Sequence, residues 1–227
     1  MKSLDLFVFG IYPYIALTVF LLGSLVRFER EQYTWKTDSS QLLRAGQLRL
    51  GNILFHIGVL GLFFGHLVGL LTPVGVWHAL GVSHGLKQVV AMVAGGVMGS
   101  LCLIGLLLLI HRRISDPRII ATTRKGDMLI LVWLLITLSL GLGSIWLSAE
   151  HTDGALMVQL MLWAQAIVTL QGDAGQYVAQ APWIFKAHIF MGLTLFVIFP
   201  FTRLVHVWSG FASVTYLGRA WQLVRPR

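Results

Sequence analysis

The chain has 227 residues, of which 56% are hydrophobic and only 11% charged, whereas an ordinary soluble domain carries about a quarter charged residues. The apolar residues lie in long blocks, which excludes a water-soluble core and makes lipid the solvent for most of the chain. The formal net charge of +8 sorts by side of the membrane, so it is a topology signal and not a nucleic-acid footprint.

In chain order, the first predicted span is Leu6–Val26, which is free of charge. Its apolar run is too long for the core of a signal peptide, and no small-residue cleavage site follows. A polar connection, Arg27–Arg49, includes Gln32-Tyr33-Thr34-Trp35 and is long enough to touch another protein. The second span, Leu50–Leu71, lacks Asp, Glu, Lys and Arg but contains His56 and His66. On it Gly61, Gly65 and Gly69 recur every fourth residue. That stripe fits close helix packing of the small-xxx-small kind, or space for a bulky flat cofactor.

A short loop, Leu71–Lys87, leads to the third span, Val89–Ile110. This span holds Cys102, the single cysteine, which reads as a small packing residue and excludes an internal disulfide or a Cys-ligated iron–sulfur cluster. The connection His111–Asp127 carries Asp116-Pro117, a turn signal. Met128–Leu147 is the fourth span. Gly154–Gly172 is uncharged but interrupted by Gln159, Gln165 and Gln171, the pattern of an amphipathic helix in the interface. The fifth span, 184–208, includes the uncharged run Ala187–Thr202 and carries His188 and His206. The remaining residues, 209–227, form a basic amphipathic tail suited to docking a cytoplasmic subunit.

Five spans of roughly 20 residues each predict an all-α integral membrane bundle, one domain over 1–227. If the first span runs from outside to inside, the inner segments hold Arg27, Arg30, Lys36, Arg44, Arg49, Arg112, Arg113, Arg118, Arg124, Lys125, Arg203, Arg219, Arg225 and Arg227. Only Lys2, Lys87 and Lys186 are left outside. The positive-inside rule thus puts the N-terminus outside and the C-terminus in the cytoplasm. A sixth span over Gly154–Gly172 would reverse the tail and is rejected.

Four of the eight histidines, His56, His66, His188 and His206, fall within spans. An ionisable group at that depth is costly and marks function by default. The second and fifth spans are antiparallel, so His56 can face His206 nearer the cytoplasm and His66 can face His188 nearer the outside. Each pair supplies two axial imidazoles for one haem. A zinc or copper site needs its ligands around one point, and a proton path would mix acids with the histidines; two stacked haems fit best. The spacing strains this picture: at 1.5 Å per residue the two histidines lie about 15 Å apart on the second span and about 27 Å apart on the fifth. Tilt, a bend at Pro200 and imidazole reach must absorb the difference. Arg203, Arg112 or Arg113 are basic partners for inner haem propionates, and Lys87 or Lys186 for outer ones; as alternatives all are interfacial anchors, the reading preferred for Arg112 and Arg113.

The chain resembles the gamma subunit of respiratory nitrate reductase, its membrane cytochrome b. The resemblance is carried by Ile11-Tyr12-Pro13-Tyr14-Ile15-Ala16, Gln32-Tyr33-Thr34-Trp35, Phe55-His56-Ile57-Gly58 and Gly65-His66. It continues through Asp116-Pro117-Arg118, Ala121-Thr122-Thr123, Trp163-Ala164-Gln165 and Arg203-Leu204-Val205-His206-Val207-Trp208. It implies two b haems ligated as above and a bacterial inner-membrane location. It also implies a site for menaquinol or ubiquinol beside the outer haem, formed by Lys87, Gly65 and His66. Lys87 would there donate a hydrogen bond to a quinol oxygen. In that reading electrons pass inward to an iron–sulfur (beta) subunit and on to a molybdenum-cofactor (alpha) subunit, which reduces nitrate. The nearest alternative is a dihaem cytochrome b serving a hydrogenase or formate dehydrogenase. A histidine-lined transporter would show internally repeated halves, and none is seen; a purely structural anchor leaves the four histidines without a reason.

Overall fold

The computed structural model describes residues 3–31, 43–150 and 153–208. The Gln32–Trp35 motif, His151 and the basic tail lie outside the described residues. Five helices are long and apolar enough to cross a membrane: α1 (Leu4–Arg30), α2 (Ala45–Leu71), α4 (His84–Ser115), α6 (Lys125–Glu150) and a fifth beginning at Trp183. Between them lie the short helices α3 (Val74–Ala79), α5 (Pro117–Thr122) and α7 (Ala155–Val168). The five predicted spans are therefore the five long helices, most of them extended by a few residues at each end. Their outward faces are apolar, with Leu21, Leu22, Leu25, Phe63, Phe64, Val90 and Val93 all exposed, as a surface facing lipid requires. We call the end of the bundle bearing α7 the upper end and the end bearing α5 the lower end.

Small residues set the closest contact. A Cβ on Gly58 of α2 would strike the backbone N of Cys102 on α4, and one on Gly105 would strike the backbone N of Phe55. Cys102 is buried at this crossing, as its packing role predicts. The glycine stripe divides here. Gly61 packs on Met98, 2.6 Å from a Cβ to its sulfur, whereas a Cβ on Gly65 or Gly69 would meet nothing within 4 Å. Helix packing thus explains the lower part of the stripe and not its upper part.

Capping fixes several helix ends. The Ser83 side chain accepts from the Leu86 amide at 3.2 Å at the start of α4. Asp116 accepts from the Arg118 amide at 3.0 Å, with Pro117 in the first turn of α5, so Asp116-Pro117 is a helix start. In α1 one π turn, Phe7–Ile11, leaves the Phe9 carbonyl to accept from Trp163 Nε1 at 2.9 Å.

That bond docks α7 onto the bundle. With 14 residues it is about 21 Å long and falls short of the roughly 30 Å hydrocarbon layer, in line with its exclusion as a span. Gln165 donates to the carbonyls of Leu70 and Thr72 at 3.0 and 3.1 Å, in the last turn and at the C-cap of α2. The glutamine that interrupts the apolar run therefore caps another helix. Gly154, at φ +81°, starts α7 against the backbone of His84, where a Cβ would come within 2.8 Å of the carbonyl carbon.

The fifth span differs from its expectation. The helix, α8 (Trp183–Ile198), stops eight residues before His206. Single 3-10 turns follow over Phe199–Phe201 and Arg203–Val205, separated by an extended Thr202 at φ −118°, ψ 177°. The cause is Pro200, which lacks an N–H and blocks the helical ladder. Thr202 then caps the new turn, its Oγ1 accepting from the Leu204 amide at 3.3 Å.

Candidate functional site

The structure brings the four intramembrane histidines together in two pairs. At the lower end the rings of His56 and His206 have centroids 6.1 Å apart, inclined at 71°. Toward the upper end the rings of His66 and His188 are also 6.1 Å apart, inclined at 39°. The break in α8 removes the spacing problem. From His188 to Ile198 the helix advances about 15 Å, matching the distance between His56 and His66 on α2. The remaining residues to His206 then run across the bundle more than along it.

Every ring is oriented through Nδ1. His56 reaches the Asn52 carbonyl at 2.8 Å, His66 the Leu62 carbonyl at 2.7 Å, and His206 the Arg203 carbonyl at 2.7 Å. His188 reaches across to the Thr137 carbonyl of α6 at 2.9 Å. A carbonyl only accepts, so each Nδ1 carries the proton and each Nε2 presents a lone pair. This is the arrangement of a metal-ligating histidine with its orienting partner.

The ring separation fits two imidazoles on opposite sides of one metal ion. Two metal–nitrogen bonds of about 2 Å, plus about 1.1 Å from each nitrogen to its ring centre, sum to roughly 6 Å. A third histidine pair gives the contrast. His78 and His84, near the upper end, have centroids 4.8 Å apart and touch directly, Nε2 to Nε2 at 3.1 Å, which leaves no such space. Among the described residues no group of three or more His, Cys, Asp or Glu converges. Each 6.1 Å pair therefore offers two protein ligands, the set required when a macrocycle supplies the other four. His66 is exposed along an apolar helix, as suits a ring whose partner is not part of the chain.

Around the upper pair, Gly141 of α6 lies against His188, where a Cβ would come within 2.9 Å of Cε1. Lys87 is buried, with 6% exposure, in the first turn of α4. Its Nζ donates to the Gly69 carbonyl at 2.6 Å, contacts Met161 Sδ at 2.6 Å and lies 5.0 Å from the centre of Trp77. It is thus turned inward, onto a carbonyl three residues along α2 from His66, and is not a snorkelling anchor. Lys186 does not join this group: it pairs with Asp5 at 3.3 Å and donates to the Ala179 carbonyl at 2.8 Å.

Around the lower pair the chain is held by charges. Arg27 of α1 donates from Nη1 to the carbonyls of Pro200 at 2.5 Å and Thr202 at 3.0 Å. Pro200 fits against Gly23, where a Cβ would come within 2.8 Å of its ring. Asp127 lies between Arg113 at 3.5 Å and Arg203 at 3.8 Å. Arg112 is buried and donates to the Leu43 carbonyl at 2.6 Å. Neither Arg112 nor Arg113 is the interfacial anchor expected from sequence; each has an internal partner because its helix end is packed against its neighbours.

Sequence reasoning missed Thr137, Gly141, Arg27, Asp127, Trp77 and Met161. Gly141 and Thr137 carry no chemical signal; only the fold brings them to His188. Asp127 did carry one, as the acid flanking an uncharged span among basic residues.

The model of the family described as nitrate reductase gamma subunit matches residues 5–227. The chain is 49% identical over 227 residues to the respiratory nitrate reductase 1 gamma chain of Escherichia coli, covering all of both chains. It is 46% identical over 226 residues to the respiratory nitrate reductase 2 gamma chain of the same organism, covering 100% of this chain and 99% of that one. To the nitrate reductase gamma chain of Bacillus subtilis it is 36% identical over 218 residues, 96% of each.

Proposed function

The chain belongs to the nitrate reductase gamma subunit family, and from that premise we propose that it is the quinol-oxidising, dihaem cytochrome b subunit of a respiratory nitrate reductase. As a member it is an electron-transport subunit of an oxidoreductase complex and a multi-pass protein of the bacterial inner membrane. The observation that carries the finer reading is the pair of 6.1 Å ring separations, each with both Nδ1 atoms bonded to backbone carbonyls.

His56 and His206 hold one b haem, His66 and His188 the other. Bound there, haem iron supplies reversible one-electron transfer, with a potential tuned by ligands and surroundings. The distribution of basic residues supports an orientation with the upper end outside and the lower end in the cytoplasm. Menaquinol or ubiquinol is oxidised at the upper end and its protons leave there. Electrons go inward to the iron–sulfur subunit and from it to the molybdenum-cofactor subunit.

The chain's own groups have separate tasks in this reading. Lys87 exchanges its bond to the Gly69 carbonyl for a quinol oxygen, and its charge favours the deprotonated oxygen. Gly65, whose missing Cβ leaves open space, lets the quinol ring approach beside His66. Arg203 is a partner for a propionate of the lower haem; its guanidinium has five N–H donors, so one carboxylate does not exhaust it.

A reduced-minus-oxidised spectrum of the purified subunit, with haem counted per chain, tests the reading. Two b haems are expected, with His56→Ala or His206→Ala removing one and His66→Ala or His188→Ala removing the other. A chain with no haem, expressed where haem is plentiful, would overturn it. Lys87→Ala is expected to keep both haems and to lose quinol oxidation; normal quinol turnover in that variant would remove Lys87 from the site.

A further inference from the structure

The lower ligand His206 sits beyond the end of α8, where a helical turn resumes after the two 3-10 turns. Its Nδ1 is oriented by the Arg203 carbonyl at 2.7 Å, three residues back. What holds Arg203 therefore orients His206. The Arg203 guanidinium lies 3.8 Å from Asp127 Oδ2, and the same oxygen lies 3.5 Å from Arg113 Nη1. Arg113 in turn reaches Thr123 Oγ1 at 3.4 Å. The side chains are shielded, at 14% exposure for Arg113, 16% for Asp127 and 20% for Arg203, so solvent screens these pairs less than it would at an open surface. One carboxylate thus joins three places that are distant in sequence: the end of α4, the start of α6 and the turn before His206.

We propose that Asp127 is a positioning residue for the lower imidazole pair: by holding Arg203 it fixes the carbonyl that orients His206. An acid in the first turn of α6 is favoured by the helix dipole alone, but a dipole role requires neither arginine. The proposal rests on His206 being a haem ligand, and the two ideas fail differently. Asp127 also places a negative charge one ion pair from the turn that precedes His206, and so toward the haem His206 would hold, and partly neutralises Arg113 and Arg203. Its removal disfavours the oxidised, more positive state of that haem, which raises its potential.

The test uses the assembled enzyme in its native membranes, with redox titration of both haems and low-temperature electron paramagnetic resonance. Asp127→Asn is expected to shift the lower haem's potential upward and to move its g-values, which report imidazole orientation, while the upper haem stays unchanged. Asp127→Glu keeps the charge on a longer arm and is expected to restore most of the shift in both readouts. Unchanged potential and g-values in Asp127→Asn, or equal movement of both haems, would overturn the proposal. If Asp127→Asn does not accumulate, Asp127→Glu is decisive: a small displacement of the lower g-values alone supports the clamp, and none refutes it. A His206→Ala variant that retains both haems would instead sink the ligand assignment beneath it.

Discussion

The upper and lower histidine pairs have the same ring separation, 6.1 Å, but reach it by different means. His66 and His188 stand on regular helices, and His188 is seated by a glycine and a carbonyl of a third helix. In the lower pair His56 stands on a long helix, whereas His206 follows the break after α8, a stretch held by Arg27 and, through Arg203, by Asp127. Packing positions the upper pair and electrostatics position the lower one. The difference follows the surroundings. Deep in the bundle a charged clamp is costly, while near the lower end the basic residues concentrated there are available as donors.

If the upper pair depends on packing, filling the space beside it should be the most damaging change. Gly141→Val puts a branched side chain where even a Cβ comes within 2.9 Å of the His188 ring. The ring is already fixed at Nδ1 and cannot turn away without losing the Thr137 carbonyl. The expected outcome is loss of the upper haem, so that haem per chain falls from two to one while the lower haem's spectrum persists. Retention of both haems would mean that α6 does not seat His188.

The lower pair should answer to loss of a donor. Arg27→Leu removes the bonds to the Pro200 and Thr202 carbonyls. Hydrogen bonds from a charged donor contribute about 1.5–3 kcal/mol each, so a loss of about 3 kcal/mol is expected where the chain leaves α8. Thermal melting followed at the haem bands should show the lower haem released first, with the upper one holding to nearly the wild-type temperature. Simultaneous release of both would erase the distinction.

Much of this was legible in the sequence, and the limits are physical. Long uncharged runs must be helices in lipid, which placed all five spans. The pairing of His56 with His206 and His66 with His188 followed from antiparallel neighbours alone. The course of the fifth span did not follow, because one proline can bend a helix or end it, and only its neighbours decide. Here Gly23 admits the Pro200 ring and Arg27 accommodates the freed carbonyls, an arrangement joining residues more than 170 positions apart. Gln165 was read as a polar interruption, and its partners at Leu70 and Thr72 became visible only in the fold.

Those α7 contacts mark a further asymmetry, since α7 covers the upper end and no described helix of comparable length covers the lower one. Trp163→Phe keeps an aromatic side chain but removes the bond to the Phe9 carbonyl together with part of a buried ring system. The cost should be about 2 kcal/mol, since a buried carbonyl loses its donor and part of a buried ring is removed. Here the order of release should invert, with the upper haem's melting temperature lowered slightly and the lower one's unchanged. An equal decrease in both would mean that α7 stabilises the bundle as a whole.

The smallest change separates packing from function within the upper pair itself. Gly65 belongs to the same four-residue stripe as Gly61, yet a Cβ there would touch nothing within 4 Å, whereas one on Gly61 would press on Met98. If the stripe served only helix packing, Gly65→Ala would be silent in every assay. If Gly65 lines the approach of quinol, the same methyl group should leave both haem spectra and the melting temperature unchanged while weakening quinol binding. One misplaced methyl group is worth about 1 kcal/mol at the low end, so KM for quinol should rise roughly fivefold with kcat little changed, the pattern of lost uniform binding. A fall in kcat at constant KM would instead place the methyl group against the reacting oxygen, and unchanged kinetics would confine the quinol site to Lys87 and His66.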